Sequence, residues 1–212
     1  MHIQEVILCT GSIVRTKQFY TKTLELTVIK EAVESITFQA GATYLTFNAI
    51  SNEKPFYHVA FNVTNNKFSD SFEWINSKLD ILPVDNGLPI AVYPNWNAES
   101  FYFHDNNGNI LEFIVRFDLP YYSAEPFSVA DIREISEVGI VTGNVPVMAS
   151  ELQNKYGIPY FTMSKPSDTF TVMGDNYGLL IITQTGRGWI PTHKPAQIFP
   201  ITIVADGQTI QL

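Results

Sequence analysis

Cysteine is almost missing from this sequence, and its scarcity excludes a great deal. Cys9 stands alone among 212 residues, so neither an intrachain disulfide nor a cysteine-based metal cluster can form. Its setting in the apolar run Val6 to Cys9 favours an inert, buried thiol. Basic residues are also sparse: 13 Lys and Arg against 21 Asp and Glu leave a net charge of −8, without any Lys/Arg cluster. Nucleic acid and anionic membrane surfaces are therefore poor partners for this chain. No window approaches the roughly 18 uninterrupted apolar residues that cross a bilayer, and the opening MHIQEVILCTG has neither a basic leader nor an apolar signal core. The expectation is a soluble, cytoplasmic protein. What the chain does have is apolar and aromatic material, 45% and 13% of its residues. That suffices for a core in one large or two modest domains.

The segment EVILCTG at 5–11 returns as EVGIVTG at 137–143, each time ahead of an amphipathic stretch and a series of strand-like pieces. The chain reads as a repeated module. In the first copy a strand at about 3–10 precedes a helix that Ser12 can cap, with Val14, Phe19, Tyr20 and Leu24 on its apolar side. Strands near 26–31, 34–40 and 43–49 follow, rich in Val, Ile, Thr and aromatics, with a turn at Gly41. The module is thus βαβββ. The polar stretch SNEKP at 51–55 separates it from a second copy, with a strand at 56–63 and a helix from Asn65 to Leu79 whose stripe is Phe68, Phe72, Ile75 and Leu79. Strands near 91–94, 99–104 and 109–116 complete that copy around the hairpin turn DNNG at 105–108.

Residues 117–134, with Pro120, Pro126 and paired tyrosines, read as a linker between a two-module domain, 1–116, and a third, degenerate module, 135–212. The third copy carries a helix at 145–156 and the turn DNYG at 175–178. A single closing strand at 199–206 resembles the start of a fourth copy. The fold class expected is α+β: paired βαβββ modules forming a cup, a third module beside them, and one closing strand.

Aligning the copies places Glu5, His58, Glu137 and Pro200 at one position of their first strands, and Thr46, Glu112 and Ile182 at one position of their last strands. The first two copies then jointly supply Glu5, His58 and Glu112, each flanked by apolar neighbours. Side chains alternate along a strand, so His58, Ala60 and Asn62 share one face while Val59 and Phe61 share the other. Buried carboxylates are costly unless paired or bound to a cation. A divalent ion would neutralise the group. Two carboxylates and an imidazole suit Mn, Fe, Zn or Ni, and three protein ligands leave open positions for substrate. The requirement is geometric: the donor atoms of Glu5, His58 and Glu112 must converge on one point.

Three stretches carry a family resemblance: FYTKTLEL at 19–26, YHVAFNV at 57–63 and, most specifically, FYFHDNNGNILEF at 101–113. The chain resembles the vicinal oxygen chelate superfamily, the group of glyoxalases, bleomycin-resistance proteins and extradiol dioxygenases. The resemblance covers about 1–116 well and 135–206 as a divergent module. It implies paired βαβββ modules cupped around a metal that chelates vicinal oxygens of a small molecule. Glu5, His58 and Glu112 fall on ligand positions of that pattern, and Thr46 falls on the fourth. Glu at the first position is uncommon for the family, and Thr46 removes the second carboxylate that serves isomerases as a base. These departures argue against a glyoxalase-like proton transfer and against a two-His, one-carboxylate iron site.

Other polar residues have structural roles in this reading. His104 and Asp105 belong to the turn, and nothing assigns work to His2 or His193. Asn62 could meet a polar substrate, while Arg116, about 13 Å along its strand from Glu112, is far for a metal-site contact. Tyr44, Trp96 and Tyr102 are candidates to line the cup, and GRGWIP at 186–191 could reach over a pocket or bind a partner chain. The third module lacks a ligand set, so its expected job is to extend the sheet or to offer a surface for homodimerisation. Two functions follow: a metal-dependent lyase, isomerase or dioxygenase acting on a small oxygenated molecule, or a non-catalytic binding protein of the bleomycin-resistance type.

Overall fold

Strands form where Val, Ile, Thr and aromatic residues alternate with polar ones, and helices where a side-chain oxygen caps a four-residue apolar stripe. The computed structural model describes residues 1–51, 53–84 and 87–212, so Asn52 of the SNEKP stretch lies outside the described residues. The first copy contains β1 (Ile3–Thr10), α1 (Ile13–Lys22), β2 (Thr27–Glu31), β3 (Ser35–Ala40) and β4 (Thr43–Ala49). The second contains β5 (His58–Val63), α2 (Phe68–Asn76), β6 (Ala91–Tyr93), β7 (Ala98–His104) and β8 (Ile110–Arg116). The third contributes β9 (Ile132–Thr142), α3 (Val145–Tyr156), β10 (Phe170–Asp175) and β11 (Gly178–Gln184). The two-residue strands β12 (Gly188–Trp189) and β13 (Lys194–Pro195) then tie off a loop, and β14 (Thr202–Ala205) and β15 (Gln208–Gln211) end the chain as a hairpin. The expected lone closing strand is therefore the first half of a pair.

Local sequence explains the starts of α1 and α3, while α2 begins at Phe68 without a side-chain cap. Ser12 accepts from the Arg15 N–H, Asn144 accepts from the Val147 N–H, and Gly157 closes α3 in the left-handed conformation at φ 70°. Helix α1 buries Thr16, Phe19 and Tyr20, whereas Val14, expected on the same face, is 77% exposed. Helix α2 ends at Asn76, three residues before Leu79. In the DNNG turn, the Asp105 carboxylate accepts from the Asn107 and Asn109 N–H groups and from the Tyr20 hydroxyl, a structural role for that residue.

The strands build two large sheets. One has the order β15-β14-β1-β4-β3-β2, the other β10-β11-β9-β5-β8-β7-β6. Copies two and three share the second sheet, joined by the antiparallel pair β5 and β9. The first copy instead pairs with the terminal hairpin through β1 and β14. The cup that carries His58 and Glu112 is thus completed by the third copy rather than the first. Strand β9 is paired on both sides, by β11 and β5, and the free edge of the third copy is β10.

Both sheets turn their helix-bearing faces inward to one apolar core, in which Val6, Leu8, Phe38 and Phe47 of the first meet Val59, Phe61, Phe101 and Phe113 of the second. At 25 cal/mol per Å² such aromatic burial supplies the main driving force for the arrangement. Gly41, in the turn between β3 and β4, lies against the first residues of β9. A Cβ there would come within 2.0 Å of the Arg133 carbonyl oxygen, so the φ of +59° and the missing side chain are both required. Among the described residues no helix is long and apolar enough to cross a membrane.

Candidate functional site

The outward face of the seven-stranded sheet carries the chemistry. On β5, Val59 and Phe61 enter the core, while His58, Ala60 and Asn62 point to the other side. Ala60 is paired with Glu112 of β8 on one side and with Glu137 of β9 on the other. The two carboxylates therefore flank a methyl group and reach toward His58, two residues back along β5. His58 Nε2 lies 3.4 Å from Glu112 Oε2 and 3.6 Å from Glu137 Oε2, and one donor atom from each residue falls within 4.8 Å of the others. All three side chains are 5% exposed or less.

Glu5 is placed elsewhere. It sits on β1 of the six-stranded sheet, beside Tyr44, and its carboxylate accepts from the Thr46 hydroxyl at 2.8 Å. The structure brings His58 and Glu112 together, adds Glu137, and leaves Glu5 out. Glu137 shares a repeat position with Glu5, which is the signal that could have identified it; the sequence does not say which two copies face each other. Its strand also interrupts an apolar series, Ile135, Val138 and Ile140, with Glu134, Glu137 and Gly139, a pattern that marks a second, polar face.

Arg116 reaches the site after all. It lies four residues beyond Glu112 on the same face of β8, and its Nη2 donates to Glu137 Oε1. The length of the arginine side chain spans what the strand spacing separates. The guanidinium is fully buried, lies over the Trp96 ring at 5.6 Å, and leaves Nε and Nη1 without hydrogen-bond partners.

Electrostatics follow from this packing. Burial pushes the Glu112 carboxyl up to about 7, with the Glu137 charge adding to it and His58 opposing. For Glu137 the burial penalty is outweighed by Arg116 and by His58, which together hold it below the ordinary carboxylate value. Burial would lower His58, but its contacts with Glu137 and Glu112 raise it above the ordinary histidine value. The floor of the cup thus contains one carboxylate held ionised and one near its titration point.

Above it opens a cavity of about 340 Å³, walled by Tyr93, Trp96, Tyr102, Phe170, Ile181 and Trp189. Its size suits a single substituted ring. Tyr102 and Tyr93 share a hydrogen bond between their hydroxyls, and Tyr93 stacks on Trp96 at 5.8 Å. Trp189 comes from the GRGWIP loop and packs against the His58 ring at 5.3 Å. Gly139 makes this approach possible, because a Cβ there would stand 2.7 Å from the Trp189 ring. Of the proposed substrate contacts, Trp96 and Tyr102 line the cavity. Asn62 is buried beneath it and donates to Glu134 Oε1, while Tyr44 is 44% exposed on the other sheet.

The donor set fits a divalent ion. Metal bonds of about 2.1 Å place cis or tetrahedral donors roughly 3.0–3.4 Å apart; His58 Nε2 stands 3.4 and 3.6 Å from the two carboxylates, and the three residues' donor atoms lie within 4.8 Å of one another. Arg116 on the outer oxygen of Glu137 orients that carboxylate in the manner of a supporting residue behind a metal ligand.

No family model matches the chain, and no curated protein matches it. Among solved structures, a protein of Bacillus subtilis subsp. subtilis str. 168 assigned as a dioxygenase matches over 86% of this chain at 15% identity and a TM-score of 0.64. The chain spans 63% of that protein's length. Lactoylglutathione lyase from Agrobacterium tumefaciens matches over 53% of this chain and 92% of its own length, at 16% identity and a TM-score of 0.45. The fosfomycin resistance protein FosX of Listeria monocytogenes, a variant complexed with Mn(II) and a dihydroxypropylphosphonic acid, covers 53% of this chain and 87% of its own at 14% identity and a TM-score of 0.41. At such identities the shared property is the fold.

Proposed function

We propose that this chain, which has the fold of the vicinal oxygen chelate superfamily, is a metal-dependent enzyme acting on a small oxygenated molecule, with His58, Glu112 and Glu137 as metal ligands. The observation that carries the reading is the approach of one imidazole nitrogen and two carboxylate oxygens, all within 4.8 Å of one another, in a buried cup. Such O,O,N donors suit Mn, Fe, Zn or Ni. A divalent ion bound there supplies Lewis acidity to substrate oxygens. The protein's own part is to hold Glu137 ionised through Arg116, to keep the floor dry, and to orient a flat ligand between Trp96 and Trp189. Whether the turnover is an isomerisation, an elimination or an oxygenation is a finer matter that substrate screening decides.

Elemental analysis tests the reading. About one equivalent of metal per chain is expected in the wild type, and less than about a tenth of that in Glu112→Ala. A protein that takes up no divalent ion, or one whose content is the same in His58→Ala, Glu112→Ala and Glu137→Ala, overturns it.

One observation favours a second reading. Arg116 already compensates Glu137, and His58 stands between both carboxylates, so the floor is close to charge balance without an added cation. A non-catalytic protein that sequesters a flat ligand in the aromatic cavity is the function consistent with a metal-free cup. Ligand binding with full occupancy and no metal selects it.

A further inference from the structure

Burial grades from floor to mouth in the cavity. His58, Glu112 and Glu137 are 5% exposed or less, whereas Val92 and Ile190 at the other end are 61% and 43% exposed. Between them, half-buried, is Arg187 of the GRGWIP loop. Its guanidinium stacks over Phe170 with 4.6 Å from the central carbon to the ring, and it has no carboxylate partner among the described residues. Every other charged side chain lining the cavity is engaged in the cluster on the floor.

The loop holds Arg187 firmly. Its N–H donates to the Gln184 carbonyl and its carbonyl accepts from the Ala196 N–H, and the flanking pair β12 and β13 closes the loop just beyond it. The Phe170 ring beneath it limits the positions open to the guanidinium. A planar, pre-oriented fork at the edge of an aromatic cavity matches a carboxylate, which it can take in two parallel hydrogen bonds. The partial desolvation of the rim strengthens that pairing over one in open water.

The geometry points to Arg187 as the specificity-determining residue of the cup, and to an aryl carboxylate as the substrate class. The ring lies between Trp96 and Trp189, ring oxygens face the floor, and the carboxylate meets Arg187 at the mouth. This assignment rests on the cup being the small-molecule site, and it does not depend on whether a metal is bound there.

The test uses the full chain and reads binding by quenching of tryptophan fluorescence, since Trp96 and Trp189 line the cavity. Hydroxylated benzoates, phenylacetates and 3-phenylpropionates are each compared with the corresponding amide and phosphonate, with metal content measured on the same samples. At least one carboxylate is expected to bind roughly tenfold or more tighter than its amide. Arg187→Gln reduces that ratio to near one, Arg187→Lys retains part of it, and both variants keep the wild-type melting temperature. Amides that bind as well as carboxylates, an unchanged ratio in Arg187→Gln, or phosphonates that bind tighter than carboxylates overturn the assignment. Protein that takes up no divalent ion yet still discriminates through Arg187 removes the metal-enzyme reading and leaves this one standing. Stoichiometric metal without discrimination does the reverse.

Discussion

The two large sheets have matching centres and opposite chemistry. In the seven-stranded sheet, Ala60 is flanked by Glu112 and Glu137, with His58 two residues earlier. In the six-stranded sheet, Ile7 is flanked in the same register by Thr46 and Thr202, with Glu5 two residues earlier. The three positions that His58, Glu112 and Glu137 occupy in one sheet thus hold a carboxylate and two hydroxyls in the other. Glu5 is partly exposed and accepts from Thr46, and Ile7, itself partly exposed, stands at the register position that Ala60 holds in the other sheet. Backbone pairing alone therefore makes no site. What makes one is the coincidence of titratable residues at all three positions with a small residue between them.

The contrast breaks most directly through metal content. Glu137→Ala is expected to lose essentially all bound metal, while Glu5→Ala retains the wild-type amount; elemental analysis of both variants decides, and loss in Glu5→Ala would mean that the ligand set includes the first sheet. Stability responds next. Arg116→Met leaves Glu137 buried without its counter-charge and should cost about 3–5 kcal/mol, a fall of roughly 10 °C in melting temperature for a chain of this size. Added metal should restore part of it.

The pH response of the metal-free protein sharpens the same point. Glu112 binds its proton more tightly when folded, with its carboxyl raised from 4.5 to about 7, so its contribution is fully present below pH 4.5 and is lost as pH rises through 7. His58, also raised, loses its contribution in the same direction above the ordinary histidine range. Glu137 is lowered, so its contribution is already present above 4.5 and is constant at neutral pH. Thermal unfolding should therefore fall by on the order of 5 °C between pH 6 and 8, and Glu112→Gln should flatten the curve. A profile that rises over that interval is incompatible with the buried, raised carboxyl.

A smaller effect is expected from making one sheet resemble the other at its centre. Ala60→Ile introduces the bulk of Ile7 between the two carboxylates and should cost about 1–3 kcal/mol through overpacking, with metal binding weakened as the donors are pushed apart. Chemical denaturation and metal titration of the variant measure both consequences.

Much of the fold was legible because it is written in short-range pattern. Copies of EV-x-x-x-TG, the Ser12 cap, the alternation of HVAFNV and the Asp-Asn turns each act within a few residues, and the first two βαβββ modules are present as predicted, while the third has one strand fewer among the described residues. His58 and Glu112 were legible for the same reason, as polar residues interrupting apolar strands. Glu137 was visible too, at the repeat position it shares with Glu5, but its partner was not. Arg116 was hidden more deeply, since a long side chain reaches the cup by a path that strand spacing cannot express, whereas the GRGWIP loop, read as able to reach over a pocket, does line the cavity.

By itself the sequence determined the βαβββ modules, the face of each strand and the two residues His58 and Glu112, because periodicity, capping and burial cost act locally. Only the tertiary structure decided that the second copy pairs with the third and the first with the terminal hairpin. Local patterns of the copies are nearly interchangeable, and the choice among pairings rests on contacts between them: the β5–β9 and β1–β14 ladders and the approach of Trp189 that Gly139 allows. That choice replaced Glu5 with Glu137 and, with it, placed Arg116 and Arg187 at the site.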